Sequence, residues 1–229
     1  MDGNGRWAQR RGLARIEGHK AGADTVRTIT RASRRWGLRA LTLYAFSSQN
    51  WLRPRDEVEA LMDLLRDYLI GERGEILDNG IRLTTIGEVE QLPRRVTEPL
   101  AALVADSAPN REMILCLAVS YGGREEIVRA LRALCAEVGL GARRAEDVGV
   151  ADFEARLWST EAGLPDPDLV IRTSGEVRLS NFLLWQSAYA ELHFTEKAWP
   201  EFEEADLLEA LKEYVGRKRR FGLTDAQLG

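Results

Sequence analysis

Asp2-Gly-Asn-Gly-Arg-Trp7 places a carboxylate, two glycines and a fork donor within six residues. Glycines on either side of Asn4 let the backbone curl so that successive N–H groups face one anion, here from Gly3, Asn4 and Gly5. Arg6 adds paired donors that match phosphate oxygens. Asp2 suits such a neighbourhood only if a cation bridges it to the phosphate. Magnesium is held in that way, by one or two carboxylates together with phosphate oxygens. The structural alternative is an N-terminal turn ahead of a frayed helix. The block is not a dinucleotide fingerprint, because no third glycine follows at the required spacing.

Three further clusters carry chemistry. Arg15 and Gly18-His-Lys-Ala-Gly22 bring a histidine that could donate to a diphosphate or shuttle a proton, or could simply be a satisfied structural residue. Ser47-Ser-Gln-Asn-Trp-Leu-Arg53 supplies hydroxyls, amides, an indole and an arginine, either as a substrate rim or as a helix-capping turn. Arg172-Thr-Ser-Gly-Glu-Val-Arg-Leu-Ser-Asn181 offers two arginines with Ser180 for a second diphosphate, with Glu191 beyond it as a carboxylate free to reach a metal. A charged surface loop is the plainer reading of that stretch. The chain has no HExxH, no GxSxG and no Walker loop. Asp-Asp-x-x-Asp clusters for magnesium diphosphate are missing too.

The elements that must position these clusters alternate between strand and helix. Residues 40–46, 81–86 and 113–119 are short, apolar and rich in β-formers, and predict buried strands. Residues 168–173 and 191–194 predict two more. Pro54 opens a helical pattern with Val58, Leu61, Met62, Leu65, Tyr68 and Leu69 on one stripe, which could line an apolar channel or be ordinary core. Helices are also expected over 93–106, from 123 to about 138, over 153–158 and over 203–215, with 139–150 as a surface connection. Apolar strands separated by helices predict a parallel sheet covered on both faces: one α/β domain over 1–229. Ligands in such sheets bind at the carboxyl ends of strands, where Ser47–Arg53, Ser120–Arg124 and Arg172–Ser180 fall.

At 229 residues the chain is long enough for one large domain with a substantial core. No apolar stretch reaches the ~18–20 residues that span a membrane, and no signal peptide is evident. Two cysteines, Cys116 and Cys135, are too few for a disulfide framework, so a reducing cytoplasm is the expected setting. Residues 1–39 hold ten Arg or Lys against three acids, on a chain whose net charge is −4. Local positive charge on an acidic body favours a small polyanion over nucleic acid. Solvated helix faces would explain most of those arginines equally well.

Taken jointly, MDGNGRWA (1–8), GHKAG (18–22), LTLYAFSSQNWLRP (41–54), the Tyr121–Arg124 turn, DLVIRTSGEVRLSNFLLWQSAYAEL (168–192) and RRFG (219–222) resemble the cis-prenyltransferase family. The resemblance is strongest to its bacterial undecaprenyl diphosphate synthases. It implies a central parallel sheet flanked by helices with an apolar product tunnel, a homodimer, and work close to a membrane surface. The implied reaction adds isopentenyl diphosphate repeatedly to an allylic diphosphate such as farnesyl diphosphate, with magnesium. It further implies Asp2 as catalytic carboxylate and magnesium ligand, with Glu191 as the second ligand. Gly3, Asn4, Gly5, Arg6, Arg15 and His19 would surround the allylic diphosphate; Trp7, Ser47, Ser48 and Gln49 would shape the site. Asn50 matches the proposed proton acceptor, beside Trp51 and Arg53. Arg172, Arg178, Leu179 and Ser180 would cradle isopentenyl diphosphate, and Arg220-Phe221-Gly222 would complete the partner's site. Two departures stand out: the family's first strand ahead of the Met-Asp-Gly-Asn block is not in this sequence, and Val177 replaces a histidine found in some relatives. The alternatives are a synthase of the same family with a shorter product and a non-catalytic partner subunit.

Overall fold

The computed structural model describes residues 1–217. Five strands and nine α-helices alternate along those residues: α1 (Asn4–Arg10), α2 (Arg15–Arg35), β1 (Ala40–Ser47), α3 (Arg55–Gly71), α4 (Arg73–Asp78), β2 (Ile81–Ile86), α5 (Arg94–Ser107), β3 (Met113–Tyr121), α6 (Gly123–Gly139), α7 (Val150–Glu154), α8 (Trp158–Glu161), β4 (Leu169–Arg172), β5 (Glu191–Phe194) and α9 (Glu204–Gly216). All strand pairs are parallel. The α/β architecture read from the sequence is therefore present, and β2 and β5 have the expected bounds.

Instead of one continuous sheet, the strands form two parts, β1-β3-β2 and β4-β5. Central β3 is buried along almost its whole length, as an uninterrupted apolar run requires when both faces are covered. One face packs against α2, α3, α5 and α9, through Ile29, Met62, Leu69, Leu103 and Leu207. The apolar stripe of α3 belongs to this core: Val58, Met62, Tyr68 and Leu69 are buried, with Leu61 and Leu65 packed against them. On the other face Cys116, Ala118 and Tyr121 meet Leu183 and Phe182 from the segment after β4. That segment is stacked in place by Phe182 on Tyr44, with ring centres 4.6 Å apart.

Between the free edges of β1 and β4 lies a cavity of about 800 Å³. Its lining includes every residue of 38–44 and of 164–173. A pocket on a sheet face meets alternate residues, since successive side chains point to opposite sides. Unbroken runs from two strands therefore mark a gap alongside strand edges, which separates the two sheet parts.

One local expectation is corrected, and one element was not foreseen. The helix expected over 153–158 straddles the break between α7 and α8, where Arg156 Nε turns to Glu137 at 2.8 Å. The longest helix, α2, had no apolar stripe to announce it. Its buried positions are mostly small residues: Gly18, Gly22, Thr25, Thr30, Ala32 and Ser33, with only Val26 and Ile29 of larger size. Smallness lets α1 lie directly on it. A methyl at Gly18 would fall 2.0 Å from the Asn4 carbonyl oxygen, and one at Gly22 2.6 Å from Asn4 Oδ1.

The Gly18-His-Lys-Ala-Gly22 glycines are thus packing residues that set where Asn4 sits. Gly18→Ala should lower unfolding stability in urea by about 1–3 kcal/mol, since backbone cannot yield to the added methyl. Gly74→Ala in α4, where a methyl meets nothing within 4 Å, should raise it by about 0.5–1 kcal/mol. Equal effects from the two substitutions would contradict the packing assignment.

Candidate active site

Asp2 is tied at every polar atom. Its N–H donates to Thr173 Oγ1 at 2.9 Å, and its carbonyl accepts from Ser174 Oγ at 3.0 Å and Trp199 N at 2.9 Å. The carboxylate accepts from Gly3 N at 2.7 Å, from Arg172 Nη2 at 3.0 Å and from Arg6 Nη2 at 3.4 Å. Burial by itself would push the Asp2 carboxyl up. The Gly3 hydrogen bond and the charges of Arg172 and Arg6 outweigh it and hold the group below the usual carboxylate range. Gly3 makes this turn possible: φ is +93°, and a methyl there would strike Ser174 Oγ at 1.8 Å.

Around Asp2 the cations and anions alternate. Glu176 Oε1 pairs with Arg6 at 2.9 Å while its Oε2 pairs with Arg178, and Arg172 Nη1 donates to Ser180 Oγ at 2.7 Å and to the Arg178 carbonyl. Ser174, Ser180, Asn181 and Leu183 all take positive φ in this segment. Residues other than glycine adopt that conformation at a cost, and they hold it where surrounding contacts impose it. Asn181 is one such clasp: its carbonyl accepts from Gly123 N at 2.7 Å and its Oδ1 from Arg124 N at 2.8 Å. The Ser120–Arg124 turn therefore anchors the arginine loop.

A second cluster forms where α2 meets α3. Glu57 accepts from Arg15 Nε and Nη2 at 3.2 and 3.3 Å and from Arg53 Nη1 at 3.0 Å. Its Oε1 lies 3.8 Å from His19 Nε2. Burial, helped by the neighbouring Arg53, pulls the His19 imidazole down to about 4, so the ring is neutral at ordinary pH. The Arg15 guanidinium lies against Gly5, where a methyl would come within 2.7 Å of it.

After β1 a short 3₁₀ helix covers Ser48–Leu52. Asn50 Oδ1 accepts from Ser47 N at 3.1 Å, so the capping reading of this segment holds. Trp51 donates to Ser120 Oγ at 2.9 Å and packs edge-on to Phe46. Gln49 is exposed. The cavity between β1 and β4 opens onto Asp2, Asn50, Arg53, Arg172, Arg178 and Ser180, and also reaches Ser47, Gln49 and Leu179. Four buried polar atoms at this end of the fold lack partners: Asn4 Oδ1, Trp7 Nε1, His19 Nε2 and Ser48 Oγ. Buried polar atoms are normally satisfied, so four of them on the segments that carry the site mark a place for a ligand.

Most residues singled out from the sequence thus converge on one end of the strands. Glu191 does not join them within this chain. It starts β5, in register with Leu169, about 10 Å along the strands from the level of Arg172. Its carboxylate pairs with Arg217 at 2.9 Å. Arg220-Phe221-Gly222 lies outside the described residues. Among the described residues no group of three acids, cysteines or histidines could hold a metal alone. A half-exposed, ionised Asp2 is suited to magnesium that also binds diphosphate oxygens.

Sequence reasoning passed over Glu57, Thr173 and Ser174. Glu57 stands four residues after Arg53, the spacing of a helical ion pair, and the hydroxyls of Thr173 and Ser174 directly follow a buried strand.

With this geometry in place, the chain was compared with known proteins. Residues 1–222 match the prenyltransferase family model described by undecaprenyl diphosphate synthase. An isoprenyl transferase of Geobacter sulfurreducens is 47% identical over 228 residues, 100% of this chain and 92% of that one. A ditrans,polycis-undecaprenyl-diphosphate synthase of Xanthomonas oryzae pv. oryzae, specific for (2E,6E)-farnesyl diphosphate, is 47% identical over 228 residues, 100% of this chain and 88% of that one. Among solved structures, lavandulyl diphosphate synthase from Lavandula x intermedia, in complex with dimethylallyl diphosphate, superposes with a TM-score of 0.94 at 40% identity. That match covers 97% of this chain and 95% of the other.

The low His19 value has a consequence for stability. An unfolded histidine titrates near 6.5, so between about pH 6.5 and 4 the unfolded chain binds a proton that the folded chain refuses. Stability should fall with pH across that window, by about 2–3 kcal/mol at its lower end. In His19→Asn the urea midpoint at pH 4.5 should move closer to its pH 7 value than in the unsubstituted protein. An unchanged pH slope would contradict a buried neutral His19.

Proposed function

The chain belongs to the prenyltransferase family of undecaprenyl diphosphate synthases, and from that premise we propose that it condenses isopentenyl diphosphate onto an allylic diphosphate in cis. The observation that carries the proposal is the Asp2 carboxylate held by Arg6 and Arg172, with Arg178 joined to Arg6 through Glu176 and a second arginine pair, Arg15 and Arg53, on Glu57. Two diphosphates need two sets of cations, and a carboxylate between them needs a shared metal.

In this reading Asn4, Gly5, Arg6, Arg15 and His19 receive the allylic diphosphate. The first N–H groups of α1 have no intrahelical partners and add to the donors there. Arg172, Arg178, Leu179 and Ser180 receive isopentenyl diphosphate. Trp7, Ser47, Ser48 and Gln49 border the substrates. Asp2 holds magnesium, which neutralises charge on the departing diphosphate when bound. Departure leaves an allylic cation, and Arg6 and Arg15 stabilise the charge growing on the phosphate oxygens, usually the largest contribution to rate in such catalysis. The second substrate's double bond then attacks the cation, and one proton is lost.

Asn50 is a weak base, and its Oδ1 already accepts from Ser47 N. It therefore serves to shape the site, while the released diphosphate takes the proton. Neutral His19 can relay it, since its Nε2 makes no hydrogen bond within the fold. Glu191 reaches a metal only through a change of partner from Arg217, or in a homodimer from the other subunit.

The cavity between β1 and β4 is best filled by one more parallel strand. Both edges run toward Asp2, and a strand between them would join the two sheet parts. The prenyl tail then runs along α3 and β1, beside Ala45, Leu61 and Leu65, which are only partly buried against the core. An apolar β-forming segment joined ahead of Met1 should raise the thermal midpoint by roughly 5–10 °C. The same segment carrying a central proline should not, and equal shifts from both would contradict the strand assignment.

Farnesyl-type primers and a long product are supported by the Xanthomonas relative. The close likeness to a lavandulyl diphosphate synthase favours a second reading, a short product from a five-carbon primer. Incubation with farnesyl or dimethylallyl diphosphate, labelled isopentenyl diphosphate and magnesium decides between them by the length of the extracted lipid. Asp2→Ala should reduce turnover by at least about 10³-fold, and EDTA should abolish it. Asn50→Ala should cost only about tenfold. No incorporation with either primer, in protein carrying the added strand, would contradict the proposed activity. A loss from Asn50→Ala as large as that from Asp2→Ala would contradict diphosphate as base.

A further inference from the structure

Glu57 has no role in the chemistry described so far, yet its carboxylate accepts three hydrogen bonds, as many as that of Asp2. It is the third residue of α3, a favourable place for an acid against the helix dipole. It accepts from Arg15 of α2 and from Arg53 of the turn after β1, with His19 of α2 alongside. Its side chain is only 14% exposed. An ordinary i,i+4 surface pair would join Arg53 and Glu57 alone and would be open to water. This one joins three chain segments around a largely shielded carboxylate, with Arg15 and Arg53 still partly open to solvent.

The atoms used matter more than the number of bonds. Glu57 takes the Nε–Nη2 edge of Arg15 and Nη1 of Arg53. Arg15 Nη1, lying against Gly5, and Arg53 Nη2 are left for another acceptor. Two like-charged guanidinium groups at one site repel each other, and long side chains regain rotamer freedom when released. We propose that Glu57 is a positioning residue: it holds Arg15 and Arg53 by one edge each so that their remaining N–H groups are aimed at a diphosphate. The proposal rests on the assignment of the Arg15 side of the site to the allylic diphosphate.

The opposite effect is a direct competitor to this one. A carboxylate beside two arginines also lowers the local positive potential, so its removal would strengthen anion binding if orientation counted for little. The sign of the change separates the two.

The test uses inorganic diphosphate as probe, with calorimetric titration of the unsubstituted protein, Glu57→Gln, Arg15→Ala and the double variant. Glu57→Gln should weaken diphosphate binding about tenfold, the scale of re-ordering two arginine side chains on binding. Arg15→Ala should weaken it at least as much, and adding Glu57→Gln to it should cost less than about threefold, because one of the two positioned groups is gone. In turnover the KM for the allylic diphosphate should rise more than kcat falls, and the KM for isopentenyl diphosphate should stay within about twofold. A general loss of folding would lower the apparent kcat and leave both KM values where they were. Tighter or unchanged diphosphate binding in Glu57→Gln, with Arg15→Ala still weak, would overturn the positioning role alone. Full diphosphate affinity in Arg15→Ala would overturn the site assignment and the proposal with it.

Discussion

The hydrogen-bonded fixing of Asp2 between α1 and the end of β4 is the constraint on which the rest of the site depends. Its backbone is held by Thr173, Ser174 and Trp199, and its carboxylate by Gly3, Arg6 and Arg172. Residues nearly the full length of the chain apart thereby meet at one point. Every partner of the carboxylate is a donor, so the group stays ionised while its neighbours stay cationic. Two sets of arginines can then stand near each other without flying apart, and the polar end of the fold is assembled before a substrate arrives.

The same alternation explains the charge asymmetry of the first 39 residues. Four of their arginines are engaged away from the site: Arg27 with Glu72, Arg31 with Glu75, Arg34 with Glu112 and Arg35 with Glu204. Glu72 is buried under Arg27, while the other three are solvated helix-face pairs that contribute little individually. Arg6 and Arg15, one on α1 and one on α2, are the members of that basic segment that reach the site. Positive charge in the sequence located the region, and only packing selected the two residues.

Much of the scaffold was legible in the sequence because apolar runs bounded by turns have few other uses. Residues 81–86 and 191–194 became strands with the expected bounds, and the Met113 run became the buried central strand. The clusters after β1, β3 and β4 lie at strand ends as a parallel sheet requires. What escaped was written in residue size or in long-range contact. Helix α2 shows its period through Gly18, Gly22 and Ala32, which carry no hydrophobic signal. Glu57 escaped notice because nothing local says that Arg15 will fold against it. Glu191 was read as a metal ligand, yet the register of β5 sets it at the far end of the strands, beside Arg217.

The central claim is that Asp2 holds a metal jointly with diphosphate and not by itself. Binding of Mn²⁺, followed by its electron paramagnetic resonance signal, tests this most directly. With inorganic diphosphate present, the ion should bind the protein at least about tenfold more tightly than without it, and Asp2→Asn should remove that gain. Tight Mn²⁺ binding in the absence of diphosphate, or a gain that survives Asp2→Asn, would contradict the account.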